Sequence, residues 1–267
     1  MSINHNKFAI TDFETGGTDG RHQPLSIATV IIDPRRLTIA ENGIFYSLIQ
    51  PCPDDRCEEF GLSPIDPKAL ATNNLSLDEL RNAPSPKKVM GDYINFMKYH
   101  NPTGEKWDAP VFCGFNTDFD WEIMTRLMKG NMKSEFAITE KLPSQKALKE
   151  KTIEEIKDEL KNLKIVKEPY KFGGETIFRP FPKIDVAQIV FMFFENLRAL
   201  GQMSLSSVKE YFGFPNTGAH NAVIDCLWTA EILIRYLRIT RSIAQEIDYN
   251  TNGETILPIQ TYIDTYR

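Results

Sequence analysis

Asp12 and Glu14 stand two residues apart in Phe8-Ala9-Ile10-Thr11-Asp12-Phe13-Glu14-Thr15-Gly16-Gly17, an apolar run that breaks at a Gly-Gly turn. In a β-strand, residues i and i+2 share a face. The two carboxylates then aim side by side, with Thr11 and Phe13 facing away. Like charges that close repel, and burying them unpaired costs several kcal/mol. A divalent cation rewards such an arrangement. The same residues also suit an edge strand with two solvated acids near a turn.

Two further groups carry chemistry. Asp120 sits where the short apolar run Val111-Phe112-Cys113-Gly114-Phe115 gives way to a helix, with Asn116 suited to the turn and Asp118 placed to cap the helix. An acid in a first helical turn is also favoured simply by the helix dipole. Downstream, Gly218-Ala219-His220-Asn221-Ala222-Val223-Ile224-Asp225 places His220 and Asp225 five residues apart, both able to border one site from the start of a helix. Ala222 keeps the surface between them small. A lone histidine there also reads as a helix-start residue with a satisfied hydrogen bond.

The elements that must position these groups follow from pattern. Residues 7–13, Leu25 to Asp33 and Gly43 to Gln50 read as strands, the last two ended by Pro34 and Pro51, and their short connections make an antiparallel meander. Asp66 to Ala71, Leu77 to Leu80 and Pro86 to Tyr99 read as helices; in the last, Val89, Tyr93, Phe96 and Met97 recur at helical spacing. Then come the strand Val111 to Phe115, a helix from Phe119 to Lys129, a strand from Phe181 to Asp185, and helices over Val186–Leu197, Ser204–Phe212 and Gly218–Leu237. Gly213 and Pro215 stop the second of these three. The long final helix turns Ala222, Leu227, Ala230, Leu233 and Leu237 inward. Between Lys141 and Lys171 lies a lysine-rich stretch in which Ile153, Ile156, Leu160 and Leu163 form one apolar stripe. It suits either a helix packed on the core or a flap that guides a substrate strand. Three antiparallel strands followed by alternating helices and strands give an α/β fold: a mixed five-stranded sheet, with two later strands parallel to the first and helices on both faces.

Composition bounds the function. The 267 residues, 42% hydrophobic and 25% charged, fit a soluble globular protein with a substantial core. No apolar run approaches the roughly 18 residues of a membrane span. The start of the chain lacks the apolar segment of a secretory signal. Cys52, Cys57, Cys113 and Cys226 have the spacing of neither a zinc quartet nor a disulfide framework, so reduced thiols and a cytoplasmic location are expected. A net charge of −5 argues against broad binding to a nucleic-acid backbone while leaving room for an acidic pocket that takes one strand end.

Taken together and in order, the motifs resemble the DEDDh, or DnaQ-like, family of 3′–5′ exonucleases. The first is Asp12-Phe13-Glu14-Thr15, the second Asn116-Thr117-Asp118-Phe119-Asp120, the third His220-Asn221-Ala222-Val223-Ile224-Asp225. Asp185 also falls at a recurrent family position that is not a metal ligand. The resemblance spans residue 7 to about 238, apart from the lysine-rich segment, and implies an exonuclease domain over 1–240 with an insertion near 131–178 and a tail at 241–267. It implies a ribonuclease-H-like fold and hydrolysis at the 3′ end of a single strand, DNA ahead of RNA, releasing nucleoside 5′-monophosphates. It further implies two divalent cations, Mg²⁺ or Mn²⁺, held by Asp12 as the bridging ligand with Glu14, Asp120 and Asp225, and His220 as the base. Thr15, Gly16, Gly17 and Asn116 are expected at the terminal nucleotide, with Phe13 or Phe119 supporting the site from the core. A polymerase or another replication or repair protein is a possible partner, and an inactive nucleic-acid-binding or polymerase-accessory module is the alternative from a different class. A carbohydrate or nucleotide hydrolase with paired carboxylates fits less well, because of the His220/Asp225 helix. Two departures from the family stand out: Asn73-Asn74 occupies a place where a Gly-Ile-Thr-like turn is common, and the segment from Lys141 to Phe178 exceeds what compact proofreading members carry.

Overall fold

In a computed structural model, residues 6–18, 21–58, 61–128, 177–194, 203–214 and 220–249 are described. The sheet has the order β3-β2-β1-β4-β5, built from β1 (Phe8–Thr15), β2 (Pro24–Asp33), β3 (Thr38–Leu48), β4 (Val111–Gly114) and β5 (Ile184–Asp185). β1 pairs antiparallel with β2, and β2 with β3, while β4 runs parallel to β1, and β5 to β4. This is the mixed ribonuclease-H-like sheet expected. β1 is its central strand, with β2 and β4 as neighbours.

Helices cover both faces. α3 (Pro86–His100) and α4 (Thr117–Met128) lie on one, α5 (Val186–Phe194), α6 (Leu205–Tyr211) and α7 (Ala222–Tyr249) on the other. Side-chain alternation along the strands sorts the core accordingly. Ala9, Phe13, Ile27, Ile31 and Phe112 join Val89, Tyr93, Met97, Ile123 and Leu127 in the first core. Ile10, Ala28, Val30, Ile32 and Cys113 join Val186, Val208, Ala222, Cys226 and Leu233 in the second. Strands buried on both faces read as near-continuous apolar runs, as β2 does. Two short helices, α1 (Pro67–Thr72) and α2 (Leu77–Arg81), pack Leu70 and Leu80 over Leu25 and Ile65 at the end of the sheet.

Several boundaries differ from expectation, each for a local reason. β3 begins at Thr38, because an edge strand with Glu41 and Asn42 exposed shows no clean alternation. β5 shrinks to two residues; Pro182 just before it has no N–H to give to a ladder. α4 starts at Thr117, so Asp118 is inside the helix and pairs with Lys183 at 2.8 Å instead of capping it. α7 starts at Ala222 and not Gly218, because Asn221 takes the cap: its Oδ1 accepts from the N–H groups of Val223 and Ile224. At its other end α7 runs on to Tyr249, past residue 240. The Ile153/Ile156/Leu160/Leu163 stripe and most of the lysine-rich segment lie outside the described residues. Ile177 and Phe178, where that segment was expected to end, are buried in the first core. The four cysteines are free and buried, and none of the described helices is long and apolar enough to cross a membrane.

Candidate active site

Parallel pairing of β1 and β4 brings their C-terminal ends to one edge of the sheet. Asp12 and Glu14 face the α7 side from the last residues of β1, and Asp225 comes in from the first turn of α7. A carboxylate oxygen from each of these three lies within 4.8 Å of the others. Thr11 turns away, its hydroxyl 2.9 Å from that of Thr29 and 3.4 Å from the Tyr93 phenol. Phe13 is buried beside it. The i, i+2 reading of this strand is thus the geometry observed, and the solvated edge-strand alternative is not.

Asp120 enters from α4. It is 3% exposed, and its Oδ1 accepts the Phe13 N–H at 3.1 Å, which ties it to the backbone between the two β1 carboxylates. Gly114 lets the end of β4 lie close to β1 and α4: a Cβ at that position would lie 3.1 Å from the Thr11 carbonyl oxygen and 3.3 Å from Thr117 Cγ2. The turn leading to Asp120 puts Asn116 in the left-handed region, at φ 66°, a conformation asparagine tolerates. Asp185 holds that turn: its Oδ1 accepts the N–H groups of Asn116, at 3.0 Å, and of Ala187, at 2.9 Å. Asp185 therefore braces the second motif from β5.

His220 lies outside the helix, exposed, with φ 60°. Its backbone N–H hydrogen-bonds the Asp225 carboxylate, which sets His220 beside the cluster. The turn of Thr15, Gly16 and Gly17 is braced from several sides. The Gly16 N–H already donates to the Gln23 carbonyl at 3.0 Å, the Gly16 carbonyl accepts from Asp66 N–H, and Asn73 Nδ2 donates to the Thr15 carbonyl at 3.2 Å. Asn73, unusual for the family at this place, thus supports the first motif. Gln23 was not singled out by any motif. It is fully buried, and its amide exchanges hydrogen bonds with both backbone groups of Cys52. A Cβ on Gly17 would collide with the His22 ring at 2.2 Å. Phe119, expected in the core, is 36% exposed on the first turn of α4.

The electrostatics are those of a site built for positive charge. Burial first, then the charges of Asp120, Glu14 and Asp225, push the Asp12 carboxyl well above the ordinary range. Asp12 is the one that feels all three others. Burial and Asp225 raise Glu14 to about 7, and burial raises Asp120 to about 8 against the pull of its hydrogen bond from Phe13. Burial also raises Asp225, opposed by the charges of Lys209 and His220 and by the His220 N–H. Behind the cluster, the buried Cys226 thiol is pushed up by burial and by the same carboxylates. All-oxygen donors at this spacing suit a hard divalent cation.

A pH dependence follows. With their folded-state values raised, these acids hold protons at pH values where the unfolded chain has released them, so stability falls as pH rises. We expect the Tm of the cation-free protein to drop between the ordinary carboxylate range and about pH 8. Mg²⁺ should restore it, with protons released on binding. A Tm in chelator that does not change with pH across this window would mean the carboxylates do not repel as the geometry requires.

No family model matches the chain, and no curated protein matches it in sequence. Solved structures do match its shape. It is similar to the nuclease domain of 3′hExo, a DEDDh family member, bound to rAMP, at a TM-score of 0.54 and 17% identity over 90% of this chain and 95% of that one. It is similar to cell-death related nuclease 4 (CRN-4) at 0.55 and 16%, over 88% of this chain and 65% of that one. It is also similar to E. coli exonuclease I in complex with a dT13 oligonucleotide, at 0.54 and 14%, over 93% of this chain and 44% of that one. The fold is that of the DEDDh-family 3′-exonucleases.

Proposed function

We propose that the protein is a 3′–5′ exonuclease that hydrolyses the terminal phosphodiester bond of a single-stranded nucleic acid and releases nucleoside 5′-monophosphates. The observation that carries the reading is the convergence of the Asp12, Glu14 and Asp225 carboxylates within 4.8 Å on a fold shared with 3′-exonucleases. Asp120 and His220, from the other two motifs, border the same cluster.

In this reading Asp12, Glu14, Asp120 and Asp225 would hold two divalent cations, Mg²⁺ or Mn²⁺. Bound there, the cations supply charge neutralisation at the phosphoryl oxygens and acidify water. His220 takes the proton of the attacking water as the new P–O bond forms. The bond to the 3′ oxygen of the preceding nucleotide breaks, and that oxygen takes a proton from water to become the new 3′-hydroxyl end. The exposed position of His220 lets its ring meet a water at the rim of the site. Thr15, Gly17 and Asn116 flank the place of the terminal nucleotide; the Gly16 N–H, committed to Gln23, does not serve it. DNA is the favoured substrate, although the neighbouring folds hold both kinds of ligand, rAMP in one and dT13 in another.

The test is a matched pair of single-stranded DNA and RNA oligonucleotides, each labelled at the 5′ end, with Mg²⁺. A ladder of products shortened from the 3′ end supports the reading, and the faster of the two ladders names the substrate. Binding without shortening on either strand would make the protein a binding module and refute the proposal.

A further inference from the structure

Among the described residues, one buried cation is not used by the mechanism above. Lys209, on α6, is 1% exposed. Its Nζ has no hydrogen-bond acceptor among the described residues. The ammonium lies over the Trp228 ring, 5.6 Å from the centroid. Trp228 follows Asp225 by three residues on α7, so the two side chains lie on neighbouring turns of one helix face. Lys209 thus reaches the flank of α7 that carries Asp225, and its charge acts on that carboxyl. A cation–π contact compensates a buried ammonium only in part. Three N–H donors without an acceptor are costly in a core, and a methionine of similar length would fill the space without that cost.

We propose that Lys209 is a positioning residue of the cation site, a fixed positive charge behind Asp225 that balances the carboxylate cluster when no cation is bound and loosens its hold on a cation when one is. This rests on the reading of Asp12, Glu14 and Asp225 as ligands. The ammonium repels a divalent ion held at Asp225, across a medium that screens far less than water. The site therefore binds its cation more weakly than its four carboxylates alone would, and exchanges it more readily.

The experiment is titration of the full chain with Mn²⁺ alone, followed by calorimetry and by the paramagnetic resonance of free Mn²⁺. All titrations share one buffer near neutral pH, and the protons released are followed in parallel so that proton competition is not mistaken for the charge effect. The proteins are wild type, Lys209→Met, Lys209→Gln and Lys209→Arg. Both neutral variants are expected to bind Mn²⁺ roughly tenfold more tightly than wild type, and Lys209→Arg to stay near wild type. A lysine that merely fills space predicts otherwise: Lys209→Met, of similar length, would leave Mn²⁺ binding unchanged, and Lys209→Gln, which packs less well, would weaken it. Unchanged or weaker Mn²⁺ binding in a folded neutral variant, with wild type binding normally, overturns the proposal and leaves the exonuclease reading standing. Mn²⁺ binding no better in wild type than in Asp12→Ala overturns both.

Discussion

Asp12→Ala is expected to abolish hydrolysis, by about 10³-fold or more, with circular dichroism unchanged. The magnitude reflects position: Asp12 is the carboxylate that all three neighbours act on, so its loss opens the centre of the proposed cation site. Chelator should have the same effect on the wild type, reversed by Mg²⁺ or Mn²⁺. The fold should survive, because Asp12 contributes repulsion and not packing to the cation-free state. In chelator, the variant should melt no lower than wild type, since removing one of several crowded acids relieves the cluster. Full activity in excess chelator, or in Asp12→Ala, would end the two-cation reading.

His220→Ala is expected to lower kcat by roughly 10²–10⁴-fold while KM changes little. His220 stands outside the helix, and its contact with the site on the backbone side is an N–H that alanine keeps. The substitution therefore removes the imidazole without removing the bond to Asp225. Wild-type kcat should climb with pH as the general base loses its proton, and the variant profile should lack that limb. A rate within threefold of wild type, as an order-of-magnitude bound, would leave His220 a structural role at the helix start.

The motif residues were legible because period and chemistry agree. Alternation along β1 places Asp12 and Glu14 on one face and Thr11 and Phe13 on the other, and the structure keeps both placements. The strand–turn–helix around Asn116 and Asp120 was legible for the same reason, since a left-handed turn and an apolar strand leave distinct marks. Edges were harder. β3 carries polar residues on its open side, and β5 is too short to show a pattern. His220 was read as helical because nothing in the string His-Asn-Ala says that Asn221, and not a residue before it, takes the cap. Asp118 was read as a cap for the converse reason. Lys209 and Gln23 were invisible: each is a polar residue in a polar neighbourhood of sequence, and only tertiary packing buries it. Asn73, which holds the first motif's turn, lies far from it along the chain, and a long-range hydrogen bond leaves no local signature.

The central place of β1 bears on how the site ages and opens. Asp12 and Glu14 ride on a strand paired with β2 along its length and with β4 at Phe8–Ile10, with hydroxyls of Thr11, Thr29 and Tyr93 closing a buried cluster beneath it. Amides of such a strand exchange with solvent only when the whole domain unfolds. His220 belongs to the other extreme, an exposed left-handed residue ahead of a helix end, where opening is local and frequent. One half of the constellation is therefore as durable as the fold itself, while the half that would handle the proton can come and go many times within the lifetime of the folded state.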